Sequence, residues 1–174
     1  MWVFILLALP FGEELSQAAL ERTKHEVRYD GSYQRIDYPG GDVPADIGVC
    51  TDVVVRSYRT LGIDLQKLVH EDMRGAFSKY PPRWGLKGPD RNIDHRRVPN
   101  LRRFFERRGA SLPVTRERKD YRPGDVVSWT VSGNRPHIGI VVDGGFIVHN
   151  IGLGPKREDV LFAYPITGHY RFKP

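Results

Sequence analysis

Apolar positions recur at helical spacing through the first two thirds of the chain, then give way to short β-branched and aromatic runs separated by turn residues. Leu15, Ala18, Ala19 and Leu20 predict a helix over 14–27, with Arg22, Lys24 and His25 toward its C-terminal, cation-favouring end. Residues 29–48 carry Gly31, Pro39, Gly40, Gly41 and Pro44 and read as an irregular approach segment. Val54, Val55, Tyr58 and Leu61 then form one stripe of a helix over 51–61, stopped by Gly62, which puts Cys50 at that helix's N-terminus. Asp64 suits the N-cap of the next helix, whose apolar face runs from Leu65 to Phe77 before Pro81 and Pro82 end it. After a loop over 84–92, Pro99 starts a basic amphipathic helix carrying Leu101, Phe104 and Phe105, closed by Gly109. Strands are predicted over 125–131, 137–142, 146–150 and 160–164. Helices first and a strand meander afterwards predict an α+β fold, with helices packed on an antiparallel sheet.

The 174 residues, 40% of them hydrophobic, suffice for one core and not two, so a single domain is expected over 20–174. Residues 1–19 are set apart as a signal peptide or a hydrophobic N-terminus. Trp2 to Phe11 have the length of a signal-peptide apolar run and are too short to span a bilayer, so no transmembrane span is expected. No Lys or Arg precedes the run, and the best small-residue cleavage position, around Ala18 and Ala19, comes late. Export to the periplasm or the exterior is the expected localisation. A net charge of +6 favours anionic surroundings without choosing among nucleic acid, lipid and wall polymer. The paired arginines 96–97, 102–103 and 107–108 flank Phe104 and Phe105; a buried aromatic stripe under a solvated basic face explains them better than nucleic-acid binding.

A single cysteine forms no intramolecular disulfide, which leaves a buried packing residue or a nucleophile as its two roles. At a helix N-terminus, unpaired amides and the helix dipole favour a thiolate, so a lowered pKa is expected for Cys50, and the same amides suit a tetrahedral oxyanion. Its base should come from the later strands. His137 follows the turn Gly133-Asn134-Arg135-Pro136, and His149 lies near the end of the next strand. A Gly144-Gly145 loop puts His137 on one face with Asn150. The loop Asp143-Gly144-Gly145 instead pairs Val142 with Phe146, faces Gly139 toward His149 and brings the two histidines together. Either His149 or Asn150 would orient the base. His25, His70 and His169 read as structural, and His95 as a weaker candidate within an ion-paired loop. No metal-ligand spacing is present.

Tyr38-Pro39-Gly40-Gly41, Gly48-Val49-Cys50-Thr51-Asp52, Pro123-Gly124-Asp125-Val126, His137-Ile138-Gly139-Ile140-Val141 and Phe146-Ile147-Val148-His149 resemble, in order and spacing, the NlpC-type papain-like cysteine peptidases of bacterial cell walls. Residues 92–101 and 166–172 look closer still to an exported bacterial family of unassigned function within that superfamily. The resemblance implies a Cys50-His137-His149 triad that cuts an amide bond, with peptidoglycan stem peptides as substrate and no cofactor. It implies Tyr38, Asp52 and Asn150 as substrate contacts, and it favours the three-residue loop. The insert over 64–108 would be free to reshape the cleft. The rival reading is a non-catalytic wall-binding or periplasmic module on the same fold.

Overall fold

A computed structural model describes residues 8–174. The predicted apolar run lies outside the described residues as far as Leu7. The first helix, α1 (Phe11–Arg22), starts three residues earlier than its pattern suggested, because Pro10 supplies the entry and Glu13 and Glu14 favour a first turn. Leu15 and Ala19 are fully buried, with Ala18 nearly so. A leader would therefore have to end before Phe11 for α1 to keep its place in the domain.

Two short parallel strands, β1 (Arg28–Tyr29) and β2 (Ile47–Gly48), pair Tyr29 with Gly48 just ahead of α2 (Cys50–Thr60). Every residue of α2 from Cys50 to Tyr58 is buried. The helix is thus the centre of the domain, with α1 and the sheet packed on it. α3 (Leu65–Ala76) begins where expected: the Asp64 carboxylate accepts from the Gln66 amide. α4 (Val98–Arg107) brings Phe104 and Phe105, both fully buried, into the aromatic cluster of Tyr58, Tyr170 and Phe172.

The antiparallel sheet has the order β6-β5-β4-β3-β7, with β3 (Val126–Val131), β4 (Arg135–Val142), β5 (Phe146–His149), β6 (Lys156–Glu158) and β7 (Ile166–Tyr170). One face, with Val126, Ile138, Ile140, Val142 and Val148, meets the helices; the other, with Val127, Trp129, Val141 and Ile147, is closed by Tyr121 and Leu161. The predicted strand over 160–164 is instead a turn. Leu161 plugs the second face, its carbonyl accepts from Trp129 Nε1, and the strand forms six residues later. Pro136, expected in a turn, lies within β4 opposite Thr130, beyond the end of β5, where its missing N–H costs no ladder bond.

Between β4 and β5 the loop is Asp143-Gly144-Gly145, and Val142 pairs with Phe146. Both glycines have left-handed backbone. In this register Gly139 lies against His149: a Cβ there would sit 2.8 Å from Ile147 Cγ2, 2.9 Å from the Val148 carbonyl and 3.1 Å from His149 Cβ. Gly139→Ala is therefore expected to destabilise the domain by about 1–3 kcal/mol through overpacking, read as a lower denaturation midpoint at unchanged slope in urea.

Candidate active site

Cys50 is the first residue of α2, after Val49 in extended conformation. Asp52, three residues past Val49, accepts the Val49 amide at 2.7 Å, which is half of a capping box and fixes the turn that presents the sulfur. Amides of Thr51 and Ile138 point at the sulfur, and the Tyr29 hydroxyl reaches it from β1. Ile138 directly follows His137 on β4, so the sulfur lies against the strand end that carries the expected base. Cys50 and His137 share no hydrogen bond among the described residues; the His137 ring bonds to His149.

Three side chains form a relay. His137 Nε2 lies 2.8 Å from His149 Nδ1, and His149 Nε2 lies 2.7 Å from Glu158 Oε2 on β6. A carboxylate only accepts, so His149 Nε2 carries the proton and its Nδ1 is bare. His137 must then donate through Nε2, which leaves Nδ1 as the basic nitrogen. Glu158 thus sets both tautomers, a role typical of the outer partner of a functional histidine. His149, not Asn150, orients His137. The Asn150 side chain is fully buried, and its Oδ1 accepts from the Gly152 amide.

Burial decides the protonation states. It raises the Cys50 thiol to about 11, against the lowering by the Ile138 and Thr51 amides. The lowered thiol pKa expected from helix position is therefore overturned in the resting site, because desolvation of a fully enclosed thiolate outweighs the amides and dipole. Burial likewise pushes His137 down to about 3, helped by His149 and Arg135, and lowers His149 against the opposing pull of Glu158. The His137 ring is buried beside Trp129, 6.0 Å between centroids. The resting pair is a neutral thiol and a neutral imidazole.

Two expected contacts fall elsewhere. Tyr38 packs its ring edge against His70, 5.0 Å between centroids, under Arg91, while Tyr29 takes the place beside the sulfur. Asp52 is enclosed and makes two 2.9 Å bonds to the Arg96 guanidinium, both side chains being 3% exposed. Arg96 also donates to the carbonyls of Asp30 and Ser32, next to Tyr29, and the Arg96 carbonyl accepts from Thr51. The insert over 64–108 therefore reaches the residues that flank Cys50 on α2, Thr51 and Asp52. Arg102 and Arg107 are likewise engaged, with the Thr167 carbonyl and Asp72. His169 is structural, bonded to buried Asp125 at 2.7 Å. His95 is buried with Nδ1 unpartnered, and its pKa is lowered to about 4 by that burial. Among the described residues no group of His, Cys, Asp and Glu is arranged to hold a metal ion, and no helix is long and apolar enough to cross a membrane.

A family model described as Domain of unknown function (DUF1287) matches residues 16–172. The chain belongs to that family. Uncharacterized protein YijF of Escherichia coli (strain K12) is 47% identical over 164 residues, which cover 91% of this chain and 80% of that relative. Among solved structures, NlpC1 from Trichomonas vaginalis matches with a TM-score of 0.54 at 16% identity, covering 96% of this chain and 46% of that one. NlpC2 from the same organism matches at 0.48 and 16%, covering 99% and 50%. This chain spans about half the length of those two. The likeness to NlpC1 shows the fold: this DUF1287 chain has the NlpC core, with α2 and the antiparallel sheet as its centre.

Removing one partner of a buried ion pair strands the other charge. Arg96→Ala should therefore cost about 3–5 kcal/mol, measured by urea unfolding, and should increase hydrogen exchange at residues 29–32 and 50–52. Between pH 6.5 and about 4 the unfolded chain protonates histidines that the folded chain keeps neutral, His137 and His95 foremost, so stability falls as pH drops through that window. The slope should approach about 1.4 kcal/mol per pH unit for each such histidine. Asp94, raised by burial to about 6, acts in the opposite sense between its unfolded and folded values. His95→Gln should flatten the slope in urea midpoints measured at several pH values.

Proposed function

We propose that this chain is a cysteine hydrolase that cuts amide bonds in peptidoglycan stem peptides outside the cytoplasm. The observation that carries the reading is the setting of Cys50: a helix-start sulfur faced by two amides and a tyrosine hydroxyl, against the strand end of His137, whose free Nδ1 is fixed by the His149–Glu158 relay. The NlpC fold and the basic net charge, suited to an anionic wall, support it.

In the reaction Cys50 attacks the carbonyl carbon while His137 Nδ1 accepts the thiol proton, a transfer that tightens only with substrate in place. The Ile138 and Thr51 amides and the Tyr29 hydroxyl offer donors to the negative charge that develops. His137 then returns its proton to the leaving amine, and water releases the acyl group by the same route. Starting from a neutral pair, the site keeps its charged state for the transition state, where the fixed dipoles act most strongly.

A wall-binding module without turnover is the second reading, favoured by one observation: Cys50 is only 5% exposed. Turnover of purified wall peptides separates the two. Cys50→Ala is expected to abolish it, and His137→Ala to lower kcat/KM by about 10²- to 10⁴-fold. Because His137 stays unprotonated down to about pH 3, kcat/KM should hold level from pH 8 to 5 and not fall below 6.5. Binding of wall fragments by Cys50→Ala together with no turnover by the wild type would establish the module instead.

A further inference from the structure

Behind the Gly48-Val49 turn lies a cavity of about 350 Å³, at the small end of small-molecule sites. Its charged wall is mostly cationic: Arg22 from the last turn of α1, and Arg56 and Arg59 from α2. Two carboxylates, Asp42 and Asp52, also line it. Asp52 is already engaged by Arg96, and Asp42 is shared between Arg56 at 2.9 Å and Arg59 at 3.4 Å. Arg22 forms no ion pair among the described residues; its partial burial, and then its neighbour Arg56, make its charge harder to hold, and the attraction of Glu21 and Asp42 offsets this only in part. The cavity therefore keeps an uncompensated cation.

A second observation points to a ligand. Asn150 lines the cavity, is fully buried, and has no acceptor for its Nδ2 among the described residues, while its Oδ1 accepts from the Gly152 amide. A buried donor without a partner is uncommon and calls for an acceptor. The Arg59 Nε is buried and unpartnered as well. These are donors only, and a guanidinium matches the two oxygens of a carboxylate. The place is telling too: Val49 precedes Cys50, and Asn150 follows His149.

We infer that this cavity is a carboxylate site, with Arg22 and Asn150 Nδ2 as its free donors, and that it receives an acidic residue of the peptide whose amide is presented to Cys50. The second half rests on the hydrolase reading; the first does not. An acidic peptide bound this way is held by one residue on the far side of the Val49 turn from the bond to be cut, so the site acts on specificity and on binding more than on the chemical step.

Isothermal titration with glutarate, and with inorganic phosphate as the competing anion, tests the site on the wild type, on Cys50→Ser and on Arg22→Gln. The expected result is one saturable glutarate site in the first two proteins, weakened by about tenfold or more in Arg22→Gln with its melting midpoint unchanged. The Asn150 side-chain amide should also shift in the NMR spectrum of the wild type as glutarate is added, which needs no variant. No saturation into the millimolar range, an unmoved Asn150 amide, equal affinity in Arg22→Gln, or phosphate binding tighter than glutarate would each overturn the assignment. On wall peptides, Arg22→Gln should raise KM and keep kcat for those with a free acidic side chain, and leave amidated ones unaffected. If the wild type hydrolyses nothing, the hydrolase reading fails while calorimetry still decides the cavity. If hydrolysis stands and glutarate does not bind, the cavity assignment alone fails.

Discussion

A single guanidinium, that of Arg96, holds the neighbourhood of Cys50 together. It binds both oxygens of Asp52 on α2 and reaches the carbonyls of Asp30 and Ser32, just after Tyr29, so one buried cation ties the Cys50 helix to the segment that brings a hydroxyl to the sulfur. The same Asp52 carboxylate caps the Val49 amide and so sets the backbone turn at Cys50. Charges this deep persist only in company: each ion alone would cost several kcal/mol of lost hydration, about what the pair must recover through its geometry. The arrangement is thus all or nothing, and it makes the stretch between α3 and α4 a structural part of the site.

The second constraint is enclosure. Helix dipoles and amides favour a thiolate, yet the sulfur is so thoroughly removed from water that the thiol wins, and the same enclosure keeps His137 neutral. Preorganised donors facing a neutral sulfur carry little energy until charge develops, which is the condition for stabilising a transition state in preference to a ground state. Direction for the proton comes from outside the enclosure. Glu158, with 43% of its side chain exposed, fixes the His149 tautomer and through it the free nitrogen of His137.

How much of this was legible follows the range of each interaction. The helix start at Cys50 and the Asp64 cap are local, written in apolar spacing and one cap residue, and the sequence pattern carried them; for the β4–β5 register the pattern left two loops open, and the family resemblance favoured the three-residue one that the structure has. The register also carried the meeting of His137 with His149, because only Gly139 leaves the room His149 occupies. Tyr29 and Glu158 were missed because they sit on strands of two and three residues with no alternation to reveal them. Arg96 was hidden within a run of basic residues that looked like a solvated face. The run Val160-Leu161-Phe162 misled for the opposite reason: an apolar string can plug a sheet face as well as join the sheet, and Pro165 just beyond it delays the strand.

The placement of the cationic cavity gives that geometry its functional sense. A ligand there would press on Val49 and Asn150, each one bond along the backbone from a residue of the proposed reaction, Cys50 on one side and His149 on the other. A rigid element adjoins each point: α2, which starts after Val49, is buried along most of its length, and β5, which ends before Asn150, is paired on both edges. A group bound at the cavity is thereby held at a fixed distance from the sulfur, and precision of that kind is what converts binding energy into the orientation of a reacting bond. On the proposed reading the fold supplies the sulfur and the relay, whereas the arginines of α1 and α2 would decide which molecules are held where these can act.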